Sequence, residues 1–150
     1  DWKVGQVEPI DRIQTDRHRL DSYTFTFALN QYGLYPSSEY QFKHFRKTNG
    51  YANQPLDAIW LRGPFLHNGA VPTLRDLLDA PEQRPARFYR GYDLFDQRKV
   101  GFVSDVPAAN GQVFTLYDTT IPGNSNAGHV YGTTLSADDK QAIVEYMKTF

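Results

Sequence analysis

The chain has 150 residues and a formal net charge of −1, long enough for one cored domain and without the basic excess that would argue for nucleic acid or an anionic membrane surface. Ten Phe, ten Tyr and two Trp stand against a single Met, so the apolar fraction is heavily aromatic, which suits a bulky core first and a ligand pocket second. With no Cys, disulfides, thiol catalysis and zinc–thiolate sites are excluded.

No stretch reaches the roughly 20 apolar residues of a membrane span. Residues 1–10 carry no apolar signal-peptide core, so the chain is expected to be either cytosolic or already processed. The first fifty residues are weakly periodic, with Pro9, Gly33, Pro36 and Gly50 interrupting aromatic segments such as YTFTFALNQYGLY. Within them SSEYQFKHFRK, residues 37–47, is expected to start a short helix at Ser37 or Ser38 with Tyr40, Phe42 and Phe45 as its apolar contacts.

Thr73 is a good N-cap for LRDLLD, with Pro72 before it and Pro81 closing it, which predicts a short helix over about residues 74–79. The clusters RFYRGY, KVGFVS and QVFTLY, separated by Asp, Asn, Pro and Gly, predict a small β element. The last segment, TTLSADDKQAIVEYMKTF, predicts an amphipathic helix. Ser136 is its N-cap, Asp138 and Asp139 suit its positive end and Lys148 its negative end. Ile143, Tyr146, Met147 and Phe150 have the spacing of one buried face.

Chemistry is sparse in the bare residues. His18, His44, His67 and His129 include no pair at the i, i+4 spacing of a helical zinc site, and there is no HExxH. Asp93 and Asp96 are the candidates for calcium, although two carboxylates in a loop are ordinarily just solvated. Ser125 and His129 lack the GxSxG elbow of a hydrolase, and phosphate-cradling glycine motifs are absent. His129 sits in IPGNSNAGHVYGTTLS, a loop rich in Gly and Asn with little apolar anchorage. Two readings stand there: a mobile surface loop with an exposed histidine, or a loop whose histidine clamps a ligand.

Four collinear segments carry a resemblance. They are IQTDRHRLDSYT (13–24), YANQPLDAIWLRGPFLHNGAVPTLRDLL (51–78), RPARFYRGYDLFDQRKVGF (84–102) and NSNAGHVYGTTLSADDKQAIVEYMKTF (124–150). Together they resemble the C-terminal haem domain of bacterial dihaem c-type cytochromes, in the cytochrome c peroxidase superfamily and nearest its rubber oxygenase-like branch. The resemblance implies a mainly α, cytochrome c-like haem domain, its C-terminal portion spanning 1–150, with long loops and a small β element. The final helix would pack across an N-terminal helix beside the haem, and the loop before it would supply the distal axial ligand.

That loop has no Met, so the resemblance makes His129 the first choice for axial iron ligand and His67 the second. His67, in the most specific segment, is expected in the haem pocket with Trp60, Arg62 and Phe65. Three roles stand for it: contact with a propionate, a structural place in the turn, or iron ligation. Arg62 would also suit a propionate.

The departure from that family is the missing CxxCH. Haem c would therefore be attached through another chain or a missing N-terminal segment, with calcium as a further candidate cofactor. The implied partners are a CxxCH-bearing N-terminal half or cytochrome subunit and a redox partner protein. The implied role is completing a haem site for electron transfer, or for peroxidase or oxygenase chemistry, in a periplasmic or extracellular multihaem cytochrome. A haem-free binding or assembly subunit that keeps the cytochrome shell is the alternative.

Overall fold

The polypeptide alternates short helices with short two-stranded ladders in the computed structural model, which describes residues 3–150. In chain order the elements are β1 (Val7–Pro9), α1 (Ile10–Ile13), α2 (His18–Asp21), α3 (Phe25–Tyr32) and β2 (Gly50–Ala52). Then follow α4 (Leu74–Leu77), β3 (Arg87–Arg90), β4 (Phe95–Asp96), β5 (Gly101–Phe102), β6 (Ala108–Ala109), β7 (Gln112–Val113), β8 (Thr115–Asp118) and α5 (Ala137–Met147). All pairings are antiparallel: β1 with β2, β3 with β8, β4 with β5, and β6 with β7.

The expectation of a mainly α fold is overturned. Helix accounts for only 25% of the chain, and 17% is strand in several small sheets. The cause is local. Three of the five α-helices are single four-residue turns, and the aromatic and β-branched runs after Pro85 satisfy their backbone groups across ladders instead. The β expectations hold: RFYR, GF, QV and TLYD all lie in strands. In the longest register Phe88 opposes Tyr117, with ring centroids 5.1 Å apart, and Arg87 opposes Asp118 with an ion pair of 2.8 Å.

Both predicted helix starts hold, by the predicted chemistry. The Thr73 hydroxyl accepts the Asp76 amide at 3.1 Å and donates to its carboxylate at 2.6 Å. Ser136 repeats the arrangement on Asp139, at 3.1 and 2.7 Å. The buried face of α5 meets expectation in part, since Ile143 and Met147 pack against the core. Val144 is fully buried and Lys140 is 7% exposed, whereas Tyr146 is 63% and Phe150 40% exposed. Lys140 can lie inside because its ammonium meets the Asp79 carboxylate at 3.1 Å, and Arg75 reaches the same oxygen at 2.8 Å. Within the described residues α5 packs against α4.

The helix expected over 37–47 does not form. Residues 35–41 are turns, with Tyr35 and Ser37 in the left-handed region at φ 51° and 64°. Tyr40, Phe42 and Phe45 find no core face and remain exposed, so nothing rewards ordering that segment as a helix. The helix in this region is α3, capped by Thr24 accepting the Phe27 amide at 3.1 Å. The core lies further on, where Phe65, Val71, Leu74, Leu78, Val100 and Val144 pack together, and each such side chain contributes about 1.5–3 kcal/mol by leaving water.

Candidate functional site

The segment GPFLHNGAV builds one wall of the site. Gly63–Pro64 is cis, and Phe65 pairs with Val71 through amides at 2.7 and 3.3 Å, closing a tight loop with His67 at its tip. Leu66 and Gly69 turn the chain at φ 67° and 68°. Gly69 suits this left-handed position, and a Cβ there would also press on the Arg90 guanidinium at 2.8 Å.

Asn68 ties this loop to the next one. Its amide donates to the carbonyls of Gly123 at 3.1 Å and Ser125 at 2.9 Å, and its carbonyl accepts the Ala70 amide at 3.2 Å. Arg90 lies over the Tyr117 ring, 3.6 Å from its centroid, and donates to the carbonyls of Asn68 and Gly69.

The opposite wall is the loop before α5. Gly128, at φ 77°, lies so close to Gln14 that a Cβ would come within 2.4 Å of the Gln14 carbonyl carbon. This approach lets the His129 amide donate to the Ile13 carbonyl at 2.9 Å. Arg84, 4% exposed, anchors the same loop. It donates to the carbonyls of Leu77 and Asp79 on one side and of Asn126, Gly128 and His129 on the other. The loop is therefore ordered by hydrogen bonds, and His129 is not an exposed surface histidine.

His67 and His129 line a single cleft of about 870 Å³, within the ~300–1,000 Å³ range of cofactor and small-molecule sites. Its apolar wall includes Phe65, Leu66, Ile59 and Leu77, and its charged lining residues are Lys3, Arg19 and Arg62, with no carboxylate among them. The Tyr51 ring stacks on His67 at 4.6 Å, and Arg19 donates to the His67 carbonyl at 3.2 Å. Four buried polar atoms on lining residues have no partner among the described residues: Thr15 Oγ1, Tyr51 OH, His67 Nε2 and His129 Nδ1. Each such orphan costs roughly 1–3 kcal/mol, a cost that a polar ligand can relieve.

Burial pushes the His67 ring below its usual pKa, against a smaller upward pull from Asp16. Burial does the same to His129; its own backbone works the other way, and the charge of Arg84 adds to the depression. Both imidazoles are thus neutral near pH 7, the form that ligates metals. Burial raises the Tyr51 phenol, which stays protonated and able to donate.

Of the residues singled out from sequence, His67, His129, Arg62 and Phe65 line the cleft. Arg62 also donates to the Pro55 carbonyl at 2.9 Å. Trp60 lies elsewhere: it packs on the core and its indole donates to the Phe150 carbonyl at 3.1 Å. His18 is exposed and bonded to Asp16 at 2.9 Å. Asp96 accepts the amides of Arg98 and Lys99, both at 2.9 Å, and no group of three potential ligands that could hold a metal ion occurs among the described residues. Sequence reading missed Thr15, Arg19, Tyr51, Asn68 and Arg84. Only Asn68 carried a local signal, the Asn-Gly pair of a tight turn.

Residues 50–89, which run from β2 through the His67 loop to β3, match the family described as RoxA-like, cytochrome c-like. Over those residues the likeness is to a cytochrome c-like domain. The chain is also 36% identical over 135 residues to the uncharacterized protein y4iJ of Sinorhizobium fredii, a match covering 80% of this chain and 22% of that protein. It is 37% identical over 119 residues to the uncharacterized protein y4iM of the same organism, covering 67% of this chain and 27% of that protein. The chain thus spans about a quarter of the length of these relatives.

The cleft suits a haem. It offers neutral imidazoles, an apolar wall, and cations without carboxylates for a ligand whose acid groups are anionic. With no Cys in the sequence, thioether attachment has no residue here to use. Among the described residues no helix is long and apolar enough to cross a membrane.

Proposed function

We propose that this chain completes a haem c site in a periplasmic or extracellular multihaem c-type cytochrome of the dihaem peroxidase superfamily. The thioether-bearing CxxCH comes from another segment or chain. The observation that carries this reading is the convergence of His67 and His129 from distant parts of the sequence on one cleft with no carboxylate among its described lining residues, in a chain whose residues 50–89 resemble a cytochrome c-like domain.

His129 would hold the haem iron, because Arg84 and Ile13 fix its backbone while its neutral ring lines the cleft. His67, braced by Tyr51, is second choice for the iron and first choice for a propionate contact, with Arg62 and Arg19 as the cations that receive the acid groups. Phe65 supplies apolar wall. A haem held there would supply one-electron chemistry, and imidazole ligation would favour a low potential. Exposed apolar side chains such as Phe25 (79%) and Tyr40 (73%) support a haem-bearing counterpart that covers part of this chain.

Hemin titrated into the purified chain, which offers the iron the His129 imidazole alone, should give a Soret band of bound haem. His129→Ala should lose most of that uptake, while His67→Ala should keep most of it. A colourless, stably folded chain that takes up no hemin overturns the reading and favours a haem-free binding or assembly subunit.

A further inference from the structure

Arg84 presents an unusual arrangement for a charged residue. Its guanidinium is buried, and all five of its N–H donors are used, at distances between 2.5 and 3.3 Å. Every acceptor is a backbone carbonyl. Among the described residues no carboxylate pairs with it; Asp79, Glu82 and Asp76 act only at longer range. A buried cation without a counter-ion is expensive, and burial holds its pKa below the usual arginine value. Simple packing does not require it, since an apolar side chain of similar volume avoids that cost.

What Arg84 does achieve is geometric. Two of its carbonyls, from Leu77 and Asp79, belong to α4 and the residues just after it, which pack into the core. The other three, from Asn126, Gly128 and His129, belong to the loop before α5, whose own residues offer little apolar anchorage. The planar fork therefore copies the position of α4 onto the loop. It acts at His129 itself and at the glycine whose close approach to Gln14 sets the His129 amide on Ile13. Lysine cannot reproduce this, because its ammonium has three donors on a flexible stem and no fixed plane.

We infer that Arg84 is a positioning residue for His129: a buried guanidinium clamp that fixes the backbone of the ligand loop, and with it the ring, in the cleft. The inference rests on the haem-site reading for its consequence at iron, and on the ligand-free chain for its geometry.

The test compares wild type with Arg84→Lys, which keeps the charge, and Arg84→Gln, which removes it. Amide hydrogen exchange in the ligand-free chain is read at His129, with Val144 in α5 as the internal reference for global unfolding. His129 should exchange at least tenfold faster in Arg84→Lys, with Val144 changed much less. Hemin titration of the same proteins should show about tenfold weaker binding in Arg84→Lys than in wild type, as expected when a supporting contact behind a metal ligand is lost.

Wild-type exchange at His129 in both variants, or wild-type hemin affinity in both, overturns the proposal. If wild type itself takes up no hemin, the haem reading fails and the exchange result alone decides the clamp. If Arg84→Gln does not fold, Arg84→Lys decides.

Discussion

Replacing Asn68 with alanine removes three hydrogen bonds, two of which join two loops of the site. The Gly123 and Ser125 carbonyls lose their donor, at 3.1 and 2.9 Å, and the Ala70 amide loses its acceptor at 3.2 Å. All three lie in half-buried surroundings, where water replaces a lost partner only in part. At about 1 kcal/mol net for each bond, the loss comes to about 3 kcal/mol. That is a large share of the ~5–15 kcal/mol that holds a typical domain together. For a chain of this size each kcal/mol moves Tm by about 2–4 °C, so thermal denaturation should show a fall of about 6–12 °C. Hydrogen exchange should accelerate first in residues 123–127. Asn68→Asp is the sharper control, since it keeps the acceptor for Ala70 but sets carboxylate oxygens against two carbonyls; it should be at least as damaging. A Tm shift below about 2 °C for Asn68→Ala would refute the idea that this side chain couples the two loops.

Gly128→Ala should be more severe than an ordinary surface change, because a left-handed backbone costs about 1–2 kcal/mol and its Cβ would overlap Gln14; calorimetry should show a lower Tm, with hemin uptake lost alongside it. Asp79→Asn leaves the buried Lys140 ammonium without its carboxylate and should destabilise by about 2–4 kcal/mol in urea, less in the double variant with Lys140→Met, whose uncharged stem fills the same space. Asp118, held down to about 2 by Thr120 and Arg87, should titrate there by NMR. Its folded pKa lies below the unfolded value, so its contribution is present above about 3.8, lost as pH falls through about 2, and diminished in Thr120→Ala.

The elements legible in the sequence were those whose causes lie within a few residues. Thr73 and Ser136 cap their helices through amides three positions on, so the capping pattern alone was sufficient. The aromatic and β-branched runs at RFYR and TLYD became strands because their alternation suits a ladder wherever a partner is found. HNG signalled a tight turn for a local reason too, the conformational freedom of Gly69. The regular spacing that put Tyr146 and Phe150 inside α5 misled, because helical periodicity does not say which face meets α4. The Lys140–Asp79 pair, formed across sixty-one positions, brings one charged residue of the helix inside beside Val144. The residues over 37–47 were misread for the converse reason. Their apolar spacing was adequate, but no core face lies opposite them.

By itself, then, the sequence determined the helix starts, the strand-forming runs, the absence of any thiol to bind a haem, and the histidines available as ligands. The tertiary structure decided which histidines meet. His67 and His129 line one cleft because Asn68 and Arg84 reach across the chain to backbone carbonyls, in bonds spanning forty-two to fifty-seven positions for the loop before α5. A carbonyl acceptor is the same at every residue. Such bonds therefore leave no mark in the sequence of the segment they hold, and only the folded chain shows where they close.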